Sequence, residues 1–162
     1  MMTEVYHLLG LHMHQPPGNL ELLLDVNEWE ARQMILCYER PVKYARRYQD
    51  VARFCVGFSG ILLEQFEDPK IISMYSDIVD IPKMVDGYRN ASNIEIVGMG
   101  HYHPVFPLIP PEDWSEQLER GKEKCLEMFG REPRVFWPPE MGFSMEMIPA
   151  LVANSFLLIW SW

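Results

Sequence analysis

Short apolar runs alternate along this chain with longer amphipathic stretches, and that alternation is what most constrains its fold. Residues 5–11, 51–58, 94–97, 135–137 and 156–160 each read as a buried strand: brief, largely apolar and bounded by polar or turn-forming residues. Apolar strands of this kind are expected in parallel sheets covered on both faces. Between them lie helical segments with recognisable starts. Asn27, with Glu30 three residues on, opens a helix over residues 28–48. Ser59 is placed to cap a short helix over residues 60–66, and Asp68-Pro69 and Pro82 begin two more. Residues 111–129 make a long amphipathic helix, with Glu112, Asp113 and Glu116 at its positive end and Gly130 just past its last turn. Ser144 caps a last helix to about residue 154. Repeated β-α units build either an open doubly wound sheet or a barrel. The turn after the first strand, His12-Met13-His14-Gln15-Pro16-Pro17-Gly18, is not a Gly-rich phosphate loop, which disfavours a nucleotide-binding sheet. A parallel barrel needs about eight strands to close. With about five, either the sheet stays open or the chain is a piece of something longer.

A chain of 162 residues with 48% apolar content fits one domain, residues 1–162, with a real core. Its 14 basic and 23 acidic side chains leave a formal charge of −9, which argues against nucleic acid as a partner. Cys37, Cys55 and Cys125 are isolated and odd in number, so a reducing cytoplasm is the expected location. The first residues lack a signal-peptide pattern, and no apolar run approaches the ~20 residues that cross a bilayer. No membrane partner is expected.

In a parallel α/β fold, the C-terminal ends of the strands share one rim, and that rim carries the chemistry. Three polar clusters follow three of the expected strands. The first is His12-Met13-His14-Gln15-Pro16, the second Gly100-His101-Tyr102-His103-Pro104, and the third Phe136-Trp137-Pro138-Pro139-Glu140. Glu140 alone is an ordinary solvated loop acid. Beside Trp137, Phe136 and Phe143, with two prolines stiffening its backbone, it reads as a shielded carboxylate in a sugar site, because pyranose rings stack on aromatic faces. Glycoside hydrolysis uses two carboxyl groups, ~5–5.5 Å apart when configuration is retained, and one strong candidate is visible. His12 and His14, at i and i+2 of an extended segment, point the same way. They and the similarly spaced His101 and His103 read in three ways: metal ligands, binders of sugar hydroxyls, or structural histidines bonded to loop backbone. Neither pair has an Asp or Cys close by, so no metal or other cofactor is required. Gln15 donates and accepts at once, which suits a hydroxyl.

Four segments in order resemble the N-terminal part of glycoside hydrolase family 57, the α-amylase and 4-α-glucanotransferase group. They are Leu11-His12-Met13-His14-Gln15-Pro16, Phe58-Ser59-Gly60-Ile61-Leu62-Leu63-Glu64-Gln65, the stretch from Glu95-Ile96-Val97-Gly98 through His103-Pro104-Val105-Phe106-Pro107-Leu108, and Phe136-Trp137-Pro138-Pro139-Glu140. The resemblance implies an incomplete (β/α)7 barrel, here truncated to about five strands, a retaining mechanism and α-glucan substrates. It implies that Glu140 attacks the anomeric carbon, and that His14, Gln15 and His103 line the −1 subsite. With His12 and Trp137 they make up the expected substrate-binding set. The family's general acid/base is an aspartate in a later motif, so the chain is expected to carry the nucleophile without its partner and to be inactive alone. Two departures from the pattern stand out: Pro139 before the glutamate, and Asn154-Ser155 where a glycine-bearing turn is expected. The competing readings are a metal-dependent polysaccharide deacetylase or amidohydrolase using the two His-x-His pairs, and a non-catalytic carbohydrate-binding or vestigial fragment. An unfinished sheet exposes an edge strand and apolar helix faces, which favours a homo-oligomer.

Overall fold

The computed structural model describes residues 9–160. Its strands, in chain order, are β1 (Leu9–Met13), β2 (Phe54–Phe58), β3 (Ile94–Val97), β4 (Val135–Phe136) and β5 (Leu158–Ile159). β1, β2 and β3 form a parallel sheet in that order, and β4 and β5 form a separate parallel pair. One bridge joins the two sheets: Gly98 N–H donates to Val135 O at 2.9 Å and Trp137 N–H to Gly98 O at 2.8 Å. A sheet of five strands is thus replaced by three plus two. Pro133 and the Pro138-Pro139 pair bracket β4, and proline cannot donate to a ladder, so β4 stays two residues long.

The expected first strand begins at residue 5, and its residues 5–8 lie outside the described residues. β2 starts three residues later than expected. Val51 and Ala52 N–H both donate to Tyr48 O, so they finish the preceding helix turn instead of extending the strand.

The helices are α1 (Asn19–Val26), α2 (Glu28–Arg47), α3 (Gly60–Glu67), α4 (Pro69–Tyr75), α5 (Ile81–Asn90), α6 (Trp114–Phe129) and α7 (Ile148–Ala153). α2 begins as its capping box predicts: Asn27 Oδ1 accepts from Glu30 N–H at 3.2 Å, and Asn27 Nδ2 donates to the Glu30 carboxylate at 3.0 Å. Asp68 and Asp80 cap α4 and α5 through Lys70 N–H and Lys83 N–H. α6 is preceded by one 3₁₀ turn, Pro111–Asp113, and ends at Gly130 in the left-handed conformation, φ +67°. α1 is additional to the helices expected from the sequence. Its Leu20, Leu23 and Leu24 recur at helical spacing against the core, while Leu22 and Val26 stay exposed.

Alternation along the strands separates two environments. Met13, Val56, Phe58, Ile94 and Ile96 face the helices and pack with Ala31, Ile35, Tyr38, Val42 and Ala45 of α2. There Phe58, Tyr88 and Phe129 form an aromatic trio with ring centroids 5.0 to 6.0 Å apart, worth about 0.5–1.5 kcal/mol per pair beyond burial. The opposite face carries Gly10 and His12 of β1, Cys55 of β2 and Val97 of β3, beside Met99, Trp137 and Trp160. Ser155, at the turn flagged by the sequence pattern, has φ +61°, the region glycine enters freely.

Candidate active site

The inner face runs up to the C-terminal ends of β1, β3 and β4, and the candidate residues gather there. His12 lies on β1 and His14 just beyond it. His103 comes in from the loop after β3. Its Nε2 sits 2.8 Å from His12 Nε2, and its ring stacks on that of His14 at 3.9 Å with 11° between planes. Two imidazole nitrogens at that distance need one proton between them, so a doubly charged pair is excluded by geometry. Trp137 lies 5.6 Å from the His12 ring, centroid to centroid, and stacks on Trp160 at 5.1 Å, nearly parallel. Gly10 makes room for the two indoles, since a Cβ there would lie 2.5 Å from Trp160 and 2.7 Å from Trp137.

Burial pushes all three imidazoles below their ordinary range. His103 falls to about 4, with burial the first cause and the neighbouring His14 and His12 next. His12 and His14 are lowered mainly by burial, against an upward pull from Glu140 on each. Glu140 therefore lies within electrostatic reach of both rings. Near neutral pH the rings are uncharged, and each can donate at one nitrogen and accept at the other.

Glu140 is exposed, at the centre of a 3₁₀ turn over Pro139–Met141. The expected shielding by Phe136 fails, because alternation sends Phe136 into a separate core with Phe106 and Phe156. Only Trp137 of that pair faces the histidines. Glu140 and Met141 both have positive φ, +52° and +57°, and so does His103 at +58°. Among the described residues, these are three of the four non-glycine residues in that region, each holding about 1–3 kcal/mol of strain. The strain is concentrated on the two loops that carry the candidate site.

Two expected residues sit differently. His101 does not join the other three histidines: it is buried, with Nε2 3.0 Å from the Glu64 carboxylate. The four-histidine arrangement is therefore not formed. Gln15 turns its side chain toward α1 and α2, accepting from Asn19 and donating to Met34 Sδ at 2.8 Å. One contact is new. Ser59, expected as a helix cap, makes no capping bond and instead lies 2.8 Å from His14 Nδ1 through its hydroxyl. Its place at the end of β2, on the same rim, was the available signal. Trp160 was visible only as the end of a strand.

Residues 31–160 match the model of glycosyl hydrolase family 57. Alpha-amylase 1 of Dictyoglomus thermophilum is 27% identical over 156 residues, covering 91% of this chain and 19% of that protein. The 4-alpha-glucanotransferase of Thermococcus kodakarensis is 30% identical over 155 residues, covering 94% and 21%. The chain thus spans about a fifth of the length of these relatives. Among solved structures, the alpha-amylase AmyC from Thermotoga maritima superposes with a TM-score of 0.70 at 15% identity, covering 94% of this chain and 38% of that one. A family 4 carbohydrate esterase from Streptomyces lividans superposes less well, with a TM-score of 0.55 at 14% identity, covering 94% and 62%. Both likenesses establish fold alone. The family match extends over most of the sequence and includes the loops of His103 and Glu140: the chain belongs to glycosyl hydrolase family 57.

Proposed function

We propose that this chain supplies the nucleophile side of the active site of a retaining hydrolase or glucanotransferase acting on α-glucans. The observation that carries the reading is the convergence of His12, His14 and His103 under the field of Glu140, beside the Trp137 indole. Glu140 is the nucleophile. Its carboxylate attacks the anomeric carbon, the glycosidic C–O bond breaks as the leaving oxygen takes a proton from the general acid on the opposite side of the cleft, and a glycosyl ester forms on Glu140 that water or a second sugar resolves. His14 and His103 bind hydroxyls of the −1 sugar as neutral rings, with Ser59 fixing the orientation of His14. His12 holds His103, and Trp137 offers the apolar surface. Gln15 completes the set by exchanging its Asn19 contact for a hydroxyl.

On this reading the chain is a single unit, residues 1–162, forming the N-terminal part of an incomplete (β/α)7 barrel. The edges of β1 and β5 have no partner among the described residues, and Leu9, Leu157 and Leu158 are exposed there. Those edges support self-association. Three free cysteines favour the cytoplasm. The deacetylase reading is less favoured: His101 is turned away to Glu64, and the likeness to an esterase extends to fold alone.

The test is covalent trapping with an activated α-glucosyl fluoride, whose leaving group needs little acid assistance. Intact mass should rise by one glycosyl unit, and peptide mapping should place it on Glu140. Glu140→Gln should take no label while still binding a maltooligosaccharide. Label on another carboxylate, or Glu140-independent labelling, would sink the assignment.

A further inference from the structure

We infer that Glu64 and Gln117 clamp the loop after β3, and that this clamp places the His103 ring against His12 and His14. The functional meaning of the clamp rests on the glucan reading above, but its geometry does not. The loop Gly100-His101-Tyr102-His103 is gripped from two sides. From α6, the Gln117 main-chain oxygen accepts from His101 N–H, and its side-chain Oε1 accepts from Tyr102 N–H, both at 3.0 Å. From α3, Ile61 N–H donates to His101 O at 3.0 Å, and the Glu64 carboxylate holds His101 Nε2 at 3.0 Å. His103 N–H then closes the turn onto Gly100 O at 3.0 Å, and the residue is driven to φ +58°. With its neighbours fixed in this way, His103 is the side chain of the loop that turns inward.

The His101 ring is the pivot. It is 3% exposed, and its Nδ1 has no partner among the described residues. Nδ1 faces Gly60, where a Cβ would lie 2.1 Å away, so the ring fits only because α3 begins with glycine. Among the described residues, Glu64 is therefore the one side chain that satisfies this imidazole. The Glu64 side chain is itself 43% exposed, so its carboxylate reaches the buried ring from the surface. Among the described residues that carboxylate is the sole side-chain partner of the ring, and it fixes where the ring lies. Without it, both ring nitrogens are buried and unpaired, a state native proteins avoid. The ring must then turn outward, and the loop moves with it.

The experiment is titration of the histidine rings by NMR in the chain labelled at imidazole nitrogen, with no sugar present. It therefore fails or succeeds independently of the glucan reading. In the parent chain His103 titrates near 4 because it is buried against His14 and His12. In Glu64→Ala the ring should leave that stack, and its midpoint should rise by at least one pH unit toward the ordinary value. The direction is diagnostic. Removing a negative charge without moving the loop would lower a neighbouring imidazole, not raise it. Glu64→Gln keeps an acceptor for His101 Nε2 and should restore the parent midpoint. Gln117→Ala, which removes only the Tyr102 contact, should give a smaller rise of the same sign. A His103 midpoint that stays put or falls in Glu64→Ala overturns the clamp, as does an equal rise in Glu64→Gln. Should Glu64→Ala unfold, all its histidines titrate together, and Gln117→Ala decides by the same criterion.

Discussion

Gly121 of α6 lies against the main chain of the loop that leads to His103, and Gly121→Ala sets two effects of known size against each other. A Cβ at this position would sit 2.2 Å from Met99 O and 3.3 Å from His101 N. Helix propensity alone favours the change by about 1 kcal/mol, since alanine replaces glycine mid-helix. Packing opposes it. A carbon normally approaches a carbonyl oxygen no closer than about 3.3 Å, so α6 must retreat by roughly 1 Å. The atom it meets is backbone and has no rotamer by which to escape. Overpacking of this kind costs about 1–3 kcal/mol, and the rigid partner puts it at the upper end. Retreat also lengthens, without breaking, the Gln117 contacts to His101 N–H and Tyr102 N–H, which together forfeits about 1 kcal/mol. Packing wins: the net loss is about 3 kcal/mol once the gain in helix propensity is set against these costs. In urea, with a slope of about 2 kcal/mol per molar, the midpoint should fall by roughly 1.5 M. Glu119→Ala, on the exposed side of the same helix, should stay within about 0.5 kcal/mol of the parent. An unchanged or raised midpoint for Gly121→Ala would refute the close approach of α6 to the loop.

Ser155→Gly should stabilise the fold, because Ser155 is exposed at φ +61°. Relief of the left-handed strain, about 1–2 kcal/mol, exceeds the added freedom of the unfolded chain, about 0.5–1 kcal/mol, and a lowered melting temperature would contradict this. The histidine cluster predicts loss of stability on acidification. The native His103 resists protonation down to about pH 4, whereas the unfolded ring takes up a proton near its ordinary value of about 6.5. More protons are bound by the unfolded state within that window, so stability falls as pH drops from about 6.5 toward 4 and is fully retained above it. His103→Asn, which tolerates the positive φ, should flatten the decline of the urea midpoint between pH 7 and pH 5. An equally steep decline in the variant would show that His103 is not its source.

The places of the strands along the chain, the helix starts at Asn27, Asp68 and Pro82, and the stop at Gly130 were legible because each is local: a periodicity, a cap or a backbone preference read within a few residues. So was the rim, since placing polar turns at strand ends needs only the parallel topology. What escaped was set by partners distant in sequence. Ser59 looked like a cap because Ser before a short helix usually is one, and its bond to His14 crosses 45 positions. His101 and His103 share one spacing and one turn, yet one goes to Glu64 and the other to His12. α1 has no such local signature, because its leucines make too short a run to establish a period against the flanking Pro-Pro-Gly turn.

The contrast between His101 and His103 explains how the candidate site is built. Alternation would send both rings to the same side of an extended segment. The loop breaks that equivalence by taking His103 into the left-handed region. One histidine becomes the buried anchor and its near-twin becomes the ring presented to His12 and His14. The same device recurs at Glu140 and Met141, where positive φ after two prolines turns a carboxylate outward from a strand whose Phe136 is packed away. In both loops a residue in a disfavoured conformation is held by well-packed neighbours and delivers a polar side chain to the rim. Relaxing either loop into an ordinary turn would relieve strain and disperse the site, so the strain and the convergence of these side chains are one property of the fold.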